Sequence, residues 1–390
     1  MDRVKVIVGI CGSIAAYKTL KLIRLLKKQG AEVKVILTTS ATHFVTPLSC
    51  QTLSENEVLI DQFVLTRGIK HITLSDWADL LVIAPASANV IGKAASGIAD
   101  DLLSTTLVSF AKPILMVPAM DSAMWQNAIV QSNVARLKQV GYSFLNPVQG
   151  VLASGKTGTG RFPPPELTLR KIMALRAGYT SLEGKKFLIS GGRTEEDIDP
   201  VRTITNRSSG RMALELLYAA VCRDGMARGV FGEVSVSVPE EMNSVRVRTS
   251  SEMLKECKRW LGWSDCLIMA AAVGDYKPKK KSQRKIHTDT LTLQLVKNVD
   301  VLAELSKSKR GQVMVGFSLD RKDHVKRGKE KLAKKGLDLI VLNEPSVLGS
   351  DRAKAQILKK NGTVTKVATT SKWQLAHKIL DLCCEMMNRS

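Results

Sequence analysis

The run Val4-Lys5-Val6-Ile7-Val8-Gly9-Ile10 decides the fold. It is almost continuously apolar. As a strand it must be buried on both faces, the mark of a parallel sheet covered by helices. The turn Cys11-Gly12-Ser13-Ile14 follows, and residues 15–28 carry apolar side chains at helical spacing before Gly30. Residues 33–37, 80–85 and 113–118 read as further buried strands. The pattern breaks around Gly178 and Gly184 and restarts at Lys186. The second half predicts strands at 187–190, 234–238, 266–271, 313–317 and 337–342. It predicts helices at 211–223, 251–261, 299–307 and 324–335. The expected fold class is therefore α/β, with two tandem doubly wound (Rossmann-like) domains and mainly parallel sheets, over residues 1–178 and 179–390.

Composition bounds the function. A chain of 390 residues has room for two full cores, and 44% hydrophobic content is ordinary for a globular protein. No apolar run reaches the ~18 residues of a membrane span. Met1-Asp2-Arg3 leads directly into the first strand, which predicts no leader peptide. The 7 cysteines show no regular spacing, and Cys383-Cys384 is a vicinal pair, so free thiols in a reducing cytoplasm are expected. The formal net charge is +22. The surplus gathers in residues 277–285 and 321–335 with almost no aromatics between the charges. Base stacking on nucleic acid needs those aromatics. Phosphorylated substrates and nucleotides explain these stretches without them, and a basic nucleic-acid-binding protein is the competing class.

The segment Asp199-Pro200-Val201-Arg202-Thr203-Ile204-Thr205-Asn206-Arg207-Ser208-Ser209-Gly210-Arg211-Met212 lies between a strand pattern and a helix pattern. Open α/β sheets bind ligands at such loops. Ser208 and Ser209 supply hydroxyls, Gly210 permits close backbone approach, and Arg202, Arg207 and Arg211 add fixed cations. The set suits a phosphate or an activated carboxylate.

This segment resembles the signature of phosphopantothenate-cysteine ligases. In bacteria and archaea these are usually fused behind a flavin-dependent phosphopantothenoylcysteine decarboxylase. The resemblance runs in order through nearly the whole chain. In the first domain it places flavin mononucleotide (FMN) on Gly12, Ser13, Thr38, Ser87 and Asn89. It makes His71 the base that removes a proton as hydride leaves the substrate's cysteine side chain. Two positions depart from the pattern. Asp121, in Pro118-Ala119-Met120-Asp121, stands where the family has Asn, and Ser154, in Leu152-Ala153-Ser154-Gly155, stands where it has the proton-donating Cys. Ionised Asp only accepts hydrogen bonds and repels a carboxylate, and a hydroxyl is a far weaker acid than a thiol. Flavin binding is expected to persist. Decarboxylation is expected to falter at two separate steps, substrate binding and final protonation, or the domain serves as a scaffold.

For the second domain the resemblance implies CTP-dependent ligation of 4′-phosphopantothenate to cysteine through an acyl-cytidylate, with Mg²⁺ on the triphosphate. Asn206 would hold the intermediate and Lys285 would stabilise charge during transfer. Nucleotide and substrate would meet Arg202, Ser208, Ser209, Gly210, Ala271, Ala272, Asp275, Val299, Asp300, Val301, Phe317, Lys331 and Lys335. Lys331 and Lys335, at i, i+4, share one helix face. Arg193, in Ser190-Gly191-Gly192-Arg193-Thr194, replaces a small or cyclic residue of the family. The sequence offers no dedicated metal cage and does not separate CTP from ATP. The resemblance also implies a homo-oligomer, with a trimer-based flavin domain and a dimeric ligase domain, and neither a nucleic-acid nor a membrane partner.

Overall fold

A computed structural model describes residues 4–63, 69–319, 324–343 and 350–388. The chain forms two compact units, Met1–Tyr179 and Thr180–Ser390.

The first unit is built on strands β1 (Lys5–Ile10), β2 (Glu32–Leu37), β3 (Val58–Leu59), β4 (Leu80–Ala86), β5 (Ile114–Pro118) and β6 (Ser143–Phe144). They form one sheet in the order β3-β2-β1-β4-β5-β6, every neighbouring pair parallel. Val8 lies opposite Val35 on one side and Val82 on the other, all fully buried. That explains the unbroken apolar runs. Helix α1 (Ala16–Lys28) packs with α2 (Pro47–Ser54) and α8 (Pro165–Arg176). The group α3 (Lys70–Trp77), α4 (Ala88–Ser96), α5 (Leu102–Ser109), α6 (Ser122–Gln126) and α7 (Ala128–Gln139) is linked by mutual packing, with a core around Ile7, Leu81, Ile83, Leu103 and Met116. Strands β7 (Val148–Val151) and β8 (Thr157–Arg161) make a separate antiparallel hairpin.

The second unit repeats the plan. Its strands are β9 (Lys186–Gly191), β10 (Glu195–Asp197), β11 (Thr203–Thr205), β12 (Met226–Phe231), β13 (Ser244–Arg246), β14 (Cys266–Met269), β15 (Tyr276–Pro278), β16 (Leu295–Lys297), β17 (Val313–Leu319), β18 (Leu339–Asn343), β19 (Arg352–Lys359) and β20 (Val364–Ser371). The main sheet runs β13-β12-β9-β14-β17-β18-β19-β20. It is parallel as far as β18, and β19 and β20 are added antiparallel. The helices are α9 (Arg211–Cys222), α10 (Ser250–Leu261), α11 (Val301–Ser306), α12 (His324–Lys334) and α13 (Lys372–Met387). Leu188, Val230, Leu267, Met314 and Ile340 form a core with Met253 of α10 and Leu305 of α11, and α9 packs against α13.

Three expectations need correction. Residues 234–238 form no strand. Their Ser-Val alternation gives half-buried valines and exposed serines, but the chain is diverted beforehand. Arg193 and Glu233 exchange backbone hydrogen bonds of 2.9 and 2.8 Å, and the sheet edge goes to β13 instead. The polar segment 199–212 is not all loop, because β11 within it pairs with β10. Helix α12 ends at Lys334, so Lys335 sits one residue past it.

Candidate functional site

In both units the strand order reverses beside the first strand: β2 and β4 flank β1, and β12 and β14 flank β9. Chains leaving the carboxyl ends of these strands diverge and leave a crevice there, where open α/β sheets take ligands. Helices α1 and α9, which lead away from these ends, both start without a side-chain cap and without an acidic residue in the first turn. The Ser13 carbonyl takes Ala16 N and Ser209 Oγ takes Arg211 N, which leaves the next amides, Tyr17 N in α1 and Met212 N in α9, for an anion.

In the second unit the crevice is a cavity of about 930 Å³. The loop after β9 shapes one wall. Gly192 has φ +77°, and a Cβ there would lie 2.6 Å from the Glu233 carbonyl oxygen. Arg193 crosses the gap this leaves, its guanidinium donating to the Ser208 carbonyl at 3.0 Å and Ser235 Oγ at 3.4 Å. The residue that departs from the family pattern thus braces the Ser208–Gly210 segment. Gly210, φ +75°, turns the chain into α9, and a Cβ there would lie 2.4 Å from Val234 Cγ1. Asn206 donates from Nδ2 to the Val273 carbonyl at 3.0 Å, tying this segment to the small-residue loop after β14. Asn206, Ser208, Ser209, Gly210, Ala271, Ala272 and Phe317 all line the cavity. So do Arg193, Arg207, Arg211 and Lys372, with no Asp or Glu among the lining residues. A wall of this charge binds anions.

The other expected residues lie off the cavity wall. Arg202 is held by Asp199, with NH1 2.9 Å from Asp199 Oδ2, and also donates to the Ile286 carbonyl at 3.0 Å. Asp199 is buried, which raises its pKa. The backbone N–H groups of Val201, Arg202 and Ile286 and the Arg202 charge outweigh that and hold it at about 2. This carboxylate pins residues 282–286 onto the β10–β11 turn, with Ser282 N donating to the Ile198 carbonyl at 2.9 Å. Lys285 sits exposed on that strap. Asp275 accepts at its carbonyl from Asn298 N at 2.8 Å, and Val301 opens α11 behind an Asp300 cap. Lys335 pairs with Asp300 at 2.8 Å, and Lys331 reaches the cavity wall through Ser318 at 2.6 Å. Val299 is half-buried against the core.

In the first unit Gly12 and Ser13 follow β1, Thr38 follows β2, Ser87 and Asn89 follow β4, and Asp121 follows β5, so all lie at the carboxyl edge of adjacent strands. A Cβ at Gly12 would lie 2.5 Å from Ser40 Cβ, so only glycine lets this turn approach so closely. Ser13 Oγ donates to the Ala119 carbonyl at 3.3 Å and accepts from Ala15 N. Thr38 caps the 3₁₀ turn Thr39–His43, and Ser87 caps α4. Beneath them burial pushes the Cys11 thiol up to about 12, which leaves it inert. The crevice, uncapped α1 and glycine turn fit a phosphorylated cofactor. His71 is the second residue of α3 and half-buried.

Asp121 and Ser154 meet. Ser154 Oγ lies 3.5 Å from Asp121 Oδ2, while Asp121 Oδ1 accepts from Ala123 N at 2.9 Å and caps α6. The hairpin bearing Ser154 is seated by Met120 N donating to the Gly160 carbonyl at 3.0 Å, and a Cβ on Gly160 would lie 2.1 Å from the Met120 carbonyl oxygen. The two departures are therefore one local arrangement rather than two independent sites.

Sequence reasoning missed Lys372, Ser318 and Asn343 as lining residues and assigned Arg193 no supporting role. Lys372 had a weak signal, its place directly after the Ser371 cap of α13. Among the described residues no group of three or more His, Cys, Asp or Glu could hold a metal ion.

Comparison with known proteins divides the chain at the same place. Residues 1–176 match the family described as Flavoprotein, and residues 182–387 match the DNA/pantothenate metabolism flavoprotein C-terminal domain. The coenzyme A biosynthesis bifunctional protein CoaBC of Bacillus subtilis (strain 168) is 39% identical over 391 residues, covering 97% of this chain and 96% of that protein. That of Borreliella burgdorferi is 35% identical, covering 98% and 100%. A solved structure of a CoaBC C-terminal domain is 29% identical, covers 54% of this chain and 98% of its own, and has a TM-score of 0.48.

Proposed function

The chain belongs to the family of bifunctional coenzyme A biosynthesis proteins, and we propose that its second unit joins 4′-phosphopantothenate to cysteine while its first unit, with Asp121 and Ser154 at two family positions, decarboxylates the product only slowly. The observation that carries the ligase reading is the cavity of the second unit, lined by Asn206, Ala271 and Ala272 and by four cations without a carboxylate. The substrate carboxylate attacks the α-phosphorus of CTP and pyrophosphate leaves. The cysteine amine then attacks the acyl-cytidylate carbonyl and CMP leaves. Asn206, fixed by the Val273 carbonyl, presents its amide oxygen and remaining N–H to the acyl-cytidylate. The strap held by Asp199 carries Lys285 to the charge that develops at phosphorus. Lys331 and Lys335 exchange Ser318 and Asp300 for triphosphate oxygens, and Mg²⁺ arrives with the nucleotide.

In the first unit the β1 turn, Thr38, Ser87 and Asn89 would hold FMN, which supplies the hydride acceptor when bound. His71 takes the proton, and Asp121 and Ser154 face the substrate. Exposed Ile14, Tyr17, Phe44 and Leu48 on this unit suit contact with further copies of the chain. The reducing interior implied by its cysteines suits a cytoplasmic enzyme. No helix among the described residues is long and apolar enough to cross a membrane.

The test is one assay. Purified protein is given 4′-phosphopantothenate, cysteine, Mg²⁺ and either CTP or ATP, and ligated product, nucleoside monophosphate, pyrophosphate and carbon dioxide are measured. CTP-dependent product with stoichiometric CMP supports the ligase reading, and product with ATP alone or with neither nucleotide refutes it.

A further inference from the structure

Lys372 has no part in the reaction described above, yet its position is costly. It is the first residue of α13, is only 8% exposed and lines the cavity of the second unit. Burial takes most of its side chain out of bulk water. Arg211 beside it repels it. It also occupies the positive end of a 16-residue helix, where a cation is disfavoured. Burial and Arg211 pull its pKa below the usual lysine range, and Glu215 offsets them only in part. Its ammonium makes no hydrogen bond or ion pair with another described residue. Arg211 differs, because its guanidinium is paired with Asp351. A buried charge without a counter-ion destabilises a fold. What Lys372 has in place of a carboxylate is the cavity, which the start of α9 also lines.

We propose that Lys372 is a binding residue for phosphate oxygens of the ligand in this cavity, acting with Arg211 and the N-terminal amides of α9. An oxyanion there would supply the missing counter-charge to the ammonium and accept from the α9 amides that the Ser208 and Ser209 hydroxyls leave over. The chemistry is shared by the monoester of 4′-phosphopantothenate and the triphosphate of CTP. The proposal rests on the ligase reading for the identity of these ligands, not for the anion site itself.

The test uses the full-length chain and the variants Lys372→Met, which keeps most of the apolar stem, and Lys372→Arg. Each is titrated calorimetrically with 4′-phosphopantothenate, with CTP, and with unphosphorylated pantothenate, and each is unfolded thermally without ligand. Losing one charged hydrogen bond should weaken one phosphate ligand about 10- to 100-fold in Lys372→Met. The ligand that suffers identifies the source of the phosphate. Lys372→Arg should bind within a few fold of wild type, and pantothenate should be indifferent to both changes. Ligand-free Lys372→Met should unfold at a higher temperature than wild type, because an uncompensated charge is gone. A purely structural lysine would lower that temperature and weaken all three ligands alike, which overturns the proposal, as does unchanged affinity for both phosphate ligands. Should Lys372→Met not fold, Lys372→Gln carries the same expectations. Should the wild type bind neither substrate, the ligase reading fails, and pyrophosphate becomes the probe. Absence of pyrophosphate binding, or its survival in Lys372→Met, then sinks the Lys372 proposal separately.

Discussion

Asp121→Asn, alone and with Ser154→Cys, tests how this chain departs from its family. Asn keeps the acceptor that receives Ala123 N at 2.9 Å, and Asn and Asp are equivalent N-caps, so stability should move by no more than ~0.5 kcal/mol. The charge, however, disappears. A substrate carboxylate that reaches hydrogen-bond distance of Ser154 comes to roughly 5 Å from Asp121, because those two side chains are 3.5 Å apart. Between half-buried and fully hydrated limits, the repulsion at that distance is about 1–3 kcal/mol. Asp121→Asn should therefore tighten binding of 4′-phospho-N-pantothenoylcysteine roughly 5- to 150-fold. Ser154→Cys alone should recover little, since a carboxylate beside a thiol raises the pKa of that thiol and weakens it as an acid. The double variant should exceed the sum of the singles, as expected for residues in contact. The assay combines calorimetric binding with single-turnover flavin absorbance and product mass for all four proteins loaded with FMN. If Asp121→Asn binds no tighter, or if the unaltered chain already yields the saturated decarboxylated product at about 1 per second, the reasoning is wrong.

Asn206→Asp should let the acyl-cytidylate form but not retain it, because one donor is lost and a repelling charge gained; mass spectrometry of quenched turnover should show free intermediate, and normal yields of ligated product would remove its role. Lys285→Gln should lower kcat for ligation with little change in the folded strap, and an unchanged kcat would exclude it from the transfer. Gly210→Ala forces a side chain into φ +75° and to within 2.4 Å of Val234 Cγ1, which should destabilise the second unit by roughly 2–5 kcal/mol; an unchanged denaturant midpoint would contradict this. Asp199, held at about 2 when folded against ~3.9 unfolded, contributes stability that is fully present above pH ~3.9 and is lost as pH falls toward 2. Asp199→Asn should flatten the acid limb of the stability curve, and an identical limb in both proteins would count against that hub.

The parallel strands were legible because burial on both faces demands unbroken apolar runs, and Val6, Val8, Leu188 and Leu267 are all fully buried. Strands β19 and β20 were not, since their exposed positions carry Lys354, Lys366 and threonines that read equally well as loop. The Asn206 to Gly210 cluster was legible as a local composition. The contact of Asp121 with Ser154 spans 33 positions in sequence, and the Arg193 brace depends on where Ser208 and Ser235 fall in space. Lys372 gave only a weak signal, because the packing of α13 on α9, β17 and β19, none of them adjacent to it in sequence, accompanies its burial.

One knot in the second unit bears on how the protein is made. Arg223 is only 2% exposed, and it donates to the Thr180 carbonyl at 2.8 Å and the His377 carbonyl at 3.3 Å while pairing with Asp381 at 2.6 Å. A single guanidinium thus joins the opening segment, α9 and the closing helix of the unit Thr180–Ser390. A ribosome adds about 5–20 residues per second, so roughly 10–40 s separate synthesis of Thr180 from synthesis of Asp381. For roughly 8–32 s after its own synthesis Arg223 lacks Asp381 and α9 lacks α13, so the apolar face of α9 stays open to chaperones and to aggregation. The first unit, whose α1 likewise waits for α8, is complete before the second unit is made. Nascent chains arrested shortly before residue 372 should accordingly hold a protease-resistant first unit and a protease-sensitive second one.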